Sequence, residues 1–258
     1  MKHGSCDFSL ASLPLASVND CQIRAVEGRD EWERLFARLP APAIVQAWGY
    51  GEAKAAGGWQ VERLVFEQAG QPVAICQVLV KRLLGLPVAA RINRGPQFLA
   101  LRPQEAEVRA VYAALRKRWR FGRRGVLVLA PGLTESDEHR QWLREAGFIA
   151  RGTAGWCSAV LDLTQDAATL RKRLASTWRT QLNGAERGGL EFEISDKPCA
   201  FDWMLARHQE NMRDKGFAGT SPDFLRALRE RAPEDVFVCR ALHDGQPLAG
   251  MIVFQIGR

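Results

Sequence analysis

The pentapeptide Gly70-Gln71-Pro72-Val73-Ala74 returns as Gly245-Gln246-Pro247-Leu248-Ala249, and nothing else in the chain constrains its folding so tightly. Each copy follows an extended run, Val61 to Phe66 and Val236 to Ala241. Each precedes a longer apolar run, Val73 to Val80 and Leu248 to Ile256. A glycine-containing turn between two β-rich segments marks a hairpin. The spacing is far beyond any solenoid period, so the pattern predicts a duplicated domain rather than an array.

The flanks repeat too. A helix at Asp30 to Arg38 and another at Gln46 to Ala56 precede the first hairpin. A helix around Phe201 to Gln209 and one at Pro222 to Arg231 precede the second, with Ser221 as N-cap and Pro222 in the first turn. The first copy continues with a strand at Pro87 to Ile92, the loop Asn93-Arg94-Gly95-Pro96, and a helix from Pro103 to Trp119. A buried strand at Gly125 to Ala130 and a helix at Glu135 to Ala146 stopped by Gly147 come next. Strands at Phe148 to Arg151 and Trp156 to Leu163 are expected to close the sheet. The second copy opens with a basic helix, Asp166 to Arg187, whose Trp178 is expected in the core. The alternating strand Leu190 to Ile194 should bury one face. The expected division is a leader over 1–20, a first module over 21–162 and a partial second module over 163–258. By comparison with the first copy, roughly 80 residues of the second would be lacking. On that expectation residues 1–258 bind an acceptor without turnover and leave Ile252 to Ile256 as an aggregation-prone edge.

Composition narrows the chemistry. A hydrophobic content of 47% with 8 Trp and 12 Phe supplies ample core and argues against disorder. The net charge of +7 suits a polyanion, a phosphorylated substrate or an acidic membrane face. The six cysteines form no C-x-x-C pair and the four histidines no cluster, so buried thiols in a reducing compartment are expected and a zinc site is not. No apolar run approaches the ~18 residues of a membrane span, and the mildly apolar N-terminus carries Pro14, which reads as a loose leader of a cytoplasmic protein.

Three segments carry a family resemblance: Gln46-Ala-Trp48-Gly-Tyr50-Gly51-Glu52-Ala53-Lys54 with Gly58-Trp59; Arg91-Ile-Asn93-Arg94-Gly95-Pro96; and Ser176-Thr-Trp178-Arg179 through Glu186-Arg187. Arg213-Asp214-Lys215-Gly216-Phe217 is a weaker fourth. With the element order, they resemble the FemABX family of tandem GNAT-fold aminoacyltransferases and the related BioF2-like acetyltransferases. The resemblance implies an α/β (α+β) fold of two GNAT-like modules, mostly antiparallel sheets flanked by helices. It implies acyl transfer to an amine of a cell-wall or polysaccharide precursor. The donor would be aminoacyl-tRNA or acyl-CoA, no cofactor would stay bound, and the acceptor would be a nucleotide- or lipid-linked phosphorylated compound. A non-catalytic polyanion binder or decayed fragment is the reading outside enzymes.

Within that resemblance, Lys54 either meets the diphosphate of a nucleotide-linked acceptor, where a long cation neutralises phosphate, or is a solvated surface lysine. Trp48 and Tyr50 either pack or wall the cleft. Arg91 and Arg94, bracketing Asn93, either bind phosphate or carboxylate or tie down loop carbonyls. Either Arg213 or Lys215 would face the substrate, or each is simply part of a surface loop. Arg171, Lys172 and Arg179, with Arg173 and Arg187, either follow a tRNA backbone or form a wet helix face. The loop at Arg91 to Gln97 is a poor pyrophosphate cradle because Pro96 has no N–H; the resemblance implies a degenerate first module that grips the acceptor rather than a CoA-like donor. No spacing suggests a Ser-His-Asp or Cys-His nucleophile, which leaves direct attack by the acceptor amine, with positioning and charge as the protein's part.

Overall fold

A computed structural model describes residues 21–119, 125–152 and 158–256; the leader over 1–20, Cys6 and Cys157 lie outside them. The first sheet holds β1 (Gln22–Ala25), β2 (Gln60–Gln68), β3 (Gln71–Leu83), β4 (Leu86–Asn93), β5 (Gln97–Phe98) and β6 (Val126–Ala130), in the order β1-β2-β3-β4-β6 with β5 on β3. All pairs are antiparallel except β4 with β6. Helices α1 (Arg29–Phe36), α2 (Trp48–Ala56), α3 (Glu105–Arg118) and α4 (Asp137–Glu145) flank it. Strand alternation divides the core. Leu64, Phe66, Cys76, Val78 and Val80 face Val108, Val111, Tyr112 and Leu115 of α3. Val65 and Ile75 face Trp32, Leu35 and Phe36 of α1.

The second module comprises α5 (Ala167–Arg173), α6 (Ser176–Arg187), β7 (Glu191–Ser195), α7 (Pro198–Lys215), α8 (Pro222–Arg231), β8 (Val236–His243) and β9 (Gln246–Phe254). Its sheet is separate, in the order β7-β8-β9. The duplication is visible residue by residue. Gly70 and Gly245 both have positive φ, as do Ala69 and Asp244 before them, which gives the same primed two-residue turn twice. In β2–β3 the register slips between Phe66 and Glu67. In β8–β9 it slips between Ala241 and Leu242, the same place relative to the turn. A shared bulge is a specific feature that turn composition alone does not produce.

The modules dock through equivalent helices. Tyr50 of α2 meets Phe224 of α8 edge-on at 5.2 Å. Ala53 shares a buried cluster with Phe201, Leu205, Leu225 and Leu228. Gly49 is a close approach: a Cβ there would lie 2.4 Å from the Ala232 Cβ. Arg29 pairs with Glu234 at 2.8 Å across the same junction.

Several expectations need correction. The helix placed at Gln46 begins at Trp48, after a 3-10 turn at Ile44–Gln46. The long basic helix is two, because Leu174 and Ala175 are extended; Asp166 caps α5, and Arg179 donates to the Lys172 carbonyl across the break. Trp178 is 66% exposed rather than in the core. The segments at 148–151 and 158–163 form no strand, and Trp156 lies outside the described residues. Phe148 instead turns inward onto Tyr112, with its N–H bonded to the Leu143 carbonyl. In β7 the alternation is real, but Phe192 and Ile194 point to solvent while Ser195 is buried.

Candidate functional site

Where β4 parts from β3, a cluster of amides replaces the missing ladder. β4 pairs with β3 from Leu83 back to Leu79, and β5 takes over at Ile75. Between them the Gln77 N–H donates to Gln46 Oε1 at 2.6 Å. Gln46 Nε2 donates to the carbonyls of Asn93 (2.7 Å) and Gln77 (3.3 Å). Gln77 Nε2 donates in turn to the Val45 and Ala47 carbonyls, fixing the entry to α2. Arg63, 7% exposed, donates to Gln77 Oε1, the Trp48 carbonyl and Glu52, and lies 3.5 Å above the Trp48 ring. Every polar group in this buried patch has a partner, which makes it a rigid platform rather than a cost. Trp48 therefore packs; it does not wall the site.

On that platform lies a cavity of about 110 Å³ lined by Tyr50, Lys54, Trp59, Leu79, Arg91 and Asn93. The α2 turn spacing stacks Tyr50 and Lys54 on one face. Lys54 Nζ sits 3.8 Å from the centre of the Phe224 ring and 5.3 Å from that of Tyr50. Such contacts are worth about 0.5–2 kcal/mol each. Among the described residues no carboxylate pairs with Lys54. Burial, and then the Arg91 charge, push its ammonium below the ordinary lysine range. Burial pushes the Tyr50 phenol up, with Arg91 opposing. Arg91 Nε donates to Asn93 Oδ1 at 2.9 Å, which aims the guanidinium. Two cations that pair with no carboxylate among the described residues face one small cavity, an arrangement that suits an anion.

Of the residues singled out in the sequence, Lys54, Tyr50, Arg91 and Asn93 converge here. Arg94, with φ of 47°, donates instead to Ser158. Arg213 and Lys215 lie at the exposed end of α7, where Arg213 pairs with Asp214. Arg171 pairs with Glu186 and Asn183, stapling α5 to α6. Phe224, Gln77 and Arg63 carried no motif; Gln46 heads the first resemblance segment without a role assigned to it, and the other trace was Gln77, a lone amide inside the apolar run of β3. The Asn93–Pro96 loop offers no open cradle: the Gly95 N–H is spent on the Ala130 carbonyl, and a Cβ at Gly132 would meet the Pro96 carbonyl at 2.8 Å. β4 and β6 also stay paired over five residues, Ala89 to Asn93, so no gap opens between them for a donor's amide chain. Among the described residues no group of three His, Cys, Asp or Glu is placed to hold a metal, and no helix is long and apolar enough to cross a membrane.

Comparison with known proteins places this geometry. Residues 171–258 match the family described as "Acetyltransferase (GNAT) domain". A solved structure titled "Crystal structure of FemX" superposes with a TM-score of 0.67 at 16% identity, over 85% of this chain. The chain has a FemX-like fold. It spans 57% of the length of the FemX chain. No curated protein is similar to it in sequence. The family match falls on the second module, whereas the cationic cavity belongs to the first with Phe224 of the second against it. The FemX-like arrangement thus puts the pocket at the junction of the two modules.

Proposed function

We propose that this protein is an acyltransferase whose first module holds the phosphate of a nucleotide- or lipid-linked precursor, while an amine of that precursor takes the acyl group. The observation that carries the reading is the Lys54–Arg91 cavity, two cations with no carboxylate among the described lining residues, walled by Tyr50 and Trp59. The closed β4–β6 pair and the Gly95 N–H bonded to the Ala130 carbonyl support an acceptor rather than a donor role for this module. Catalysis would rest on positioning: phosphate fixed at Lys54 and Arg91 anchors the acceptor, and its amine attacks the acyl carbonyl directly. The amide forms as the C–O bond to the tRNA ribose (or the C–S bond to CoA) breaks, with the amine proton passing to the departing oxygen or sulfur or to solvent. The FemX-like fold favours an aminoacyl-tRNA donor. The acetyltransferase-domain match over residues 171–258 favours acyl-CoA as a second reading. The cell-wall nature of the acceptor rests on the FemABX resemblance of the sequence motifs; a reducing cytoplasm is the compartment this reading expects, although of the described cysteines only Cys76 is buried and Cys199 is exposed.

Incubating the protein and an amine-bearing nucleotide-diphosphate muropeptide with labelled aminoacyl-tRNA or acyl-CoA, then weighing the acceptor, separates the two. A mass increase from the tRNA arm alone supports aminoacyl transfer, and one from CoA alone overturns it in favour of the second reading. No increase with the muropeptide still bound is the outcome expected of residues 1–258 without turnover, and no increase with no binding overturns the acceptor reading.

A further inference from the structure

The β3–β4 hairpin ends in Leu83-Leu84-Gly85-Leu86, and all three leucines are exposed, Leu84 at 95% and its neighbours at 64% and 65%. The turn is the primed type, with φ of 49° at Leu84 and 77° at Gly85. Asn, Asp or Gly ordinarily fills its first position. The chain's other two primed turns have Ala69 and Asp244 there. A bulky leucine held left-handed costs conformational energy, and here it recovers nothing by packing. A residue that is both strained and bare in the free protein fits a role outside it.

The surroundings say what it meets. Lys81 and Arg82 precede the leucines on β3. Arg118, at the end of α3, reaches the hairpin's base through Glu62, the carboxylate that it shares with Arg82. One carboxylate between two guanidiniums, beside Lys81, leaves excess positive charge behind an apolar tip. Apolar side chains ahead of a basic collar match an anionic lipid interface, where leucines enter the acyl boundary and cations stay among the headgroups. The geometry points to this hairpin as a membrane-interface anchor for anionic bilayers. The same two strands carry the anion cavity: Leu79 and Arg91, opposite each other, line it, and the tip lies four residues beyond, about 13 Å at strand rise. Lys81 also lies 4.8 Å over the ring of the cavity residue Trp59. A docked tip would hold the cavity close to the headgroups. If the cavity binds acceptor phosphate as proposed above, a lipid-linked acceptor is in reach; the anchor itself does not depend on that reading.

The test is co-sedimentation with vesicles of phosphatidylcholine alone and of phosphatidylcholine with phosphatidylglycerol at about three to one, the anionic lipid attracting the nearby cations. Wild-type protein should bind the anionic vesicles and lose them as salt rises. Leu84→Asn should weaken that binding about tenfold, the scale of one leucine removed from the interface. Because Asn suits the turn, the same variant should melt no lower than wild type, which separates lost anchoring from lost folding. Equal vesicle binding by wild type and Leu84→Asn overturns the proposal, and so does absence of binding to both vesicle types, which would leave a protein partner for the tip. Phosphate-ligand affinity in solution, without vesicles, should be the same for both proteins, so failure of the anchor and failure of the acceptor reading are distinguishable.

Discussion

Replacing Gly49 by Ala tests the docking of the two modules in a way helix propensity cannot imitate. In an isolated helix the change stabilises, by up to ~1 kcal/mol in the interior and less in the first turn, where Gly49 sits. Here the new Cβ would come within 2.4 Å of the Ala232 Cβ, so α2 and α8 must separate. Overpacking of this kind costs about 1–3 kcal/mol. The net expectation is a loss of about 1–2 kcal/mol, or roughly 3–6 °C in Tm for a chain of this size. The clash is with one methyl group: the Ala232 Cα and N stay 3.7 and 3.8 Å away, in ordinary contact. Gly49→Ala combined with Ala232→Gly should therefore recover to at least the Tm of Ala232→Gly alone. The assay is thermal and urea unfolding of wild type, both single variants and the double. If Gly49→Ala is as stable as wild type, or the double is no better than the two losses summed, α2 and α8 do not pack as described.

Gln46→Leu should cost about 3 kcal/mol or more, because it leaves the Gln77 N–H and the Asn93 carbonyl buried without partners at about 1–3 kcal/mol each; urea unfolding reads this, and a loss under ~1 kcal/mol would mean the groups repair themselves through water. Lys54 sets a pH dependence. Its folded pKa lies below the ordinary 10.5, so the native state sheds the proton first: this site's penalty on stability is relieved as pH rises between the two values, while phosphate affinity falls over the same window. Lys54→Arg should keep its affinity to higher pH; a wild-type binding curve flat to pH 10.5 would contradict the shift.

The hairpins and the duplication were legible because turn chemistry is local: Gly70 and Gly245 need left-handed backbone, and few residues supply it. Lys54, Tyr50, Arg91 and Asn93 were legible as candidates through family motifs, yet nothing local says that they share one cavity. That follows from the break between β3 and β4 filled by Gln46, a long-range pairing that no window of sequence contains. Phe224 was missed for the same reason, since it reaches Lys54 only through the α2–α8 contact. β1 is four residues long with three of them exposed, so it showed no alternation to read. The β7 alternation correctly marked a strand but not its inward face, because polarity gives the period and the tertiary contacts choose the side. The break at Leu174 and Ala175 has no glycine or proline to announce it.

The most direct test of the acceptor pocket is equilibrium binding of a nucleotide-diphosphate-linked muropeptide to wild type, Lys54→Ala and Lys117→Ala. Lys81 makes a poor control, since it donates to the Gly58 carbonyl and stacks on Trp59 at the cavity wall. Lys117 is exposed at the end of α3 and carries the same charge away from the lining. Losing one phosphate-facing cation should weaken binding about tenfold or more, the 1.5–3 kcal/mol of a charged hydrogen bond, while Lys117→Ala leaves it unchanged. Equal weakening by both substitutions would show that only diffuse positive charge attracts the ligand, and would contradict the pocket.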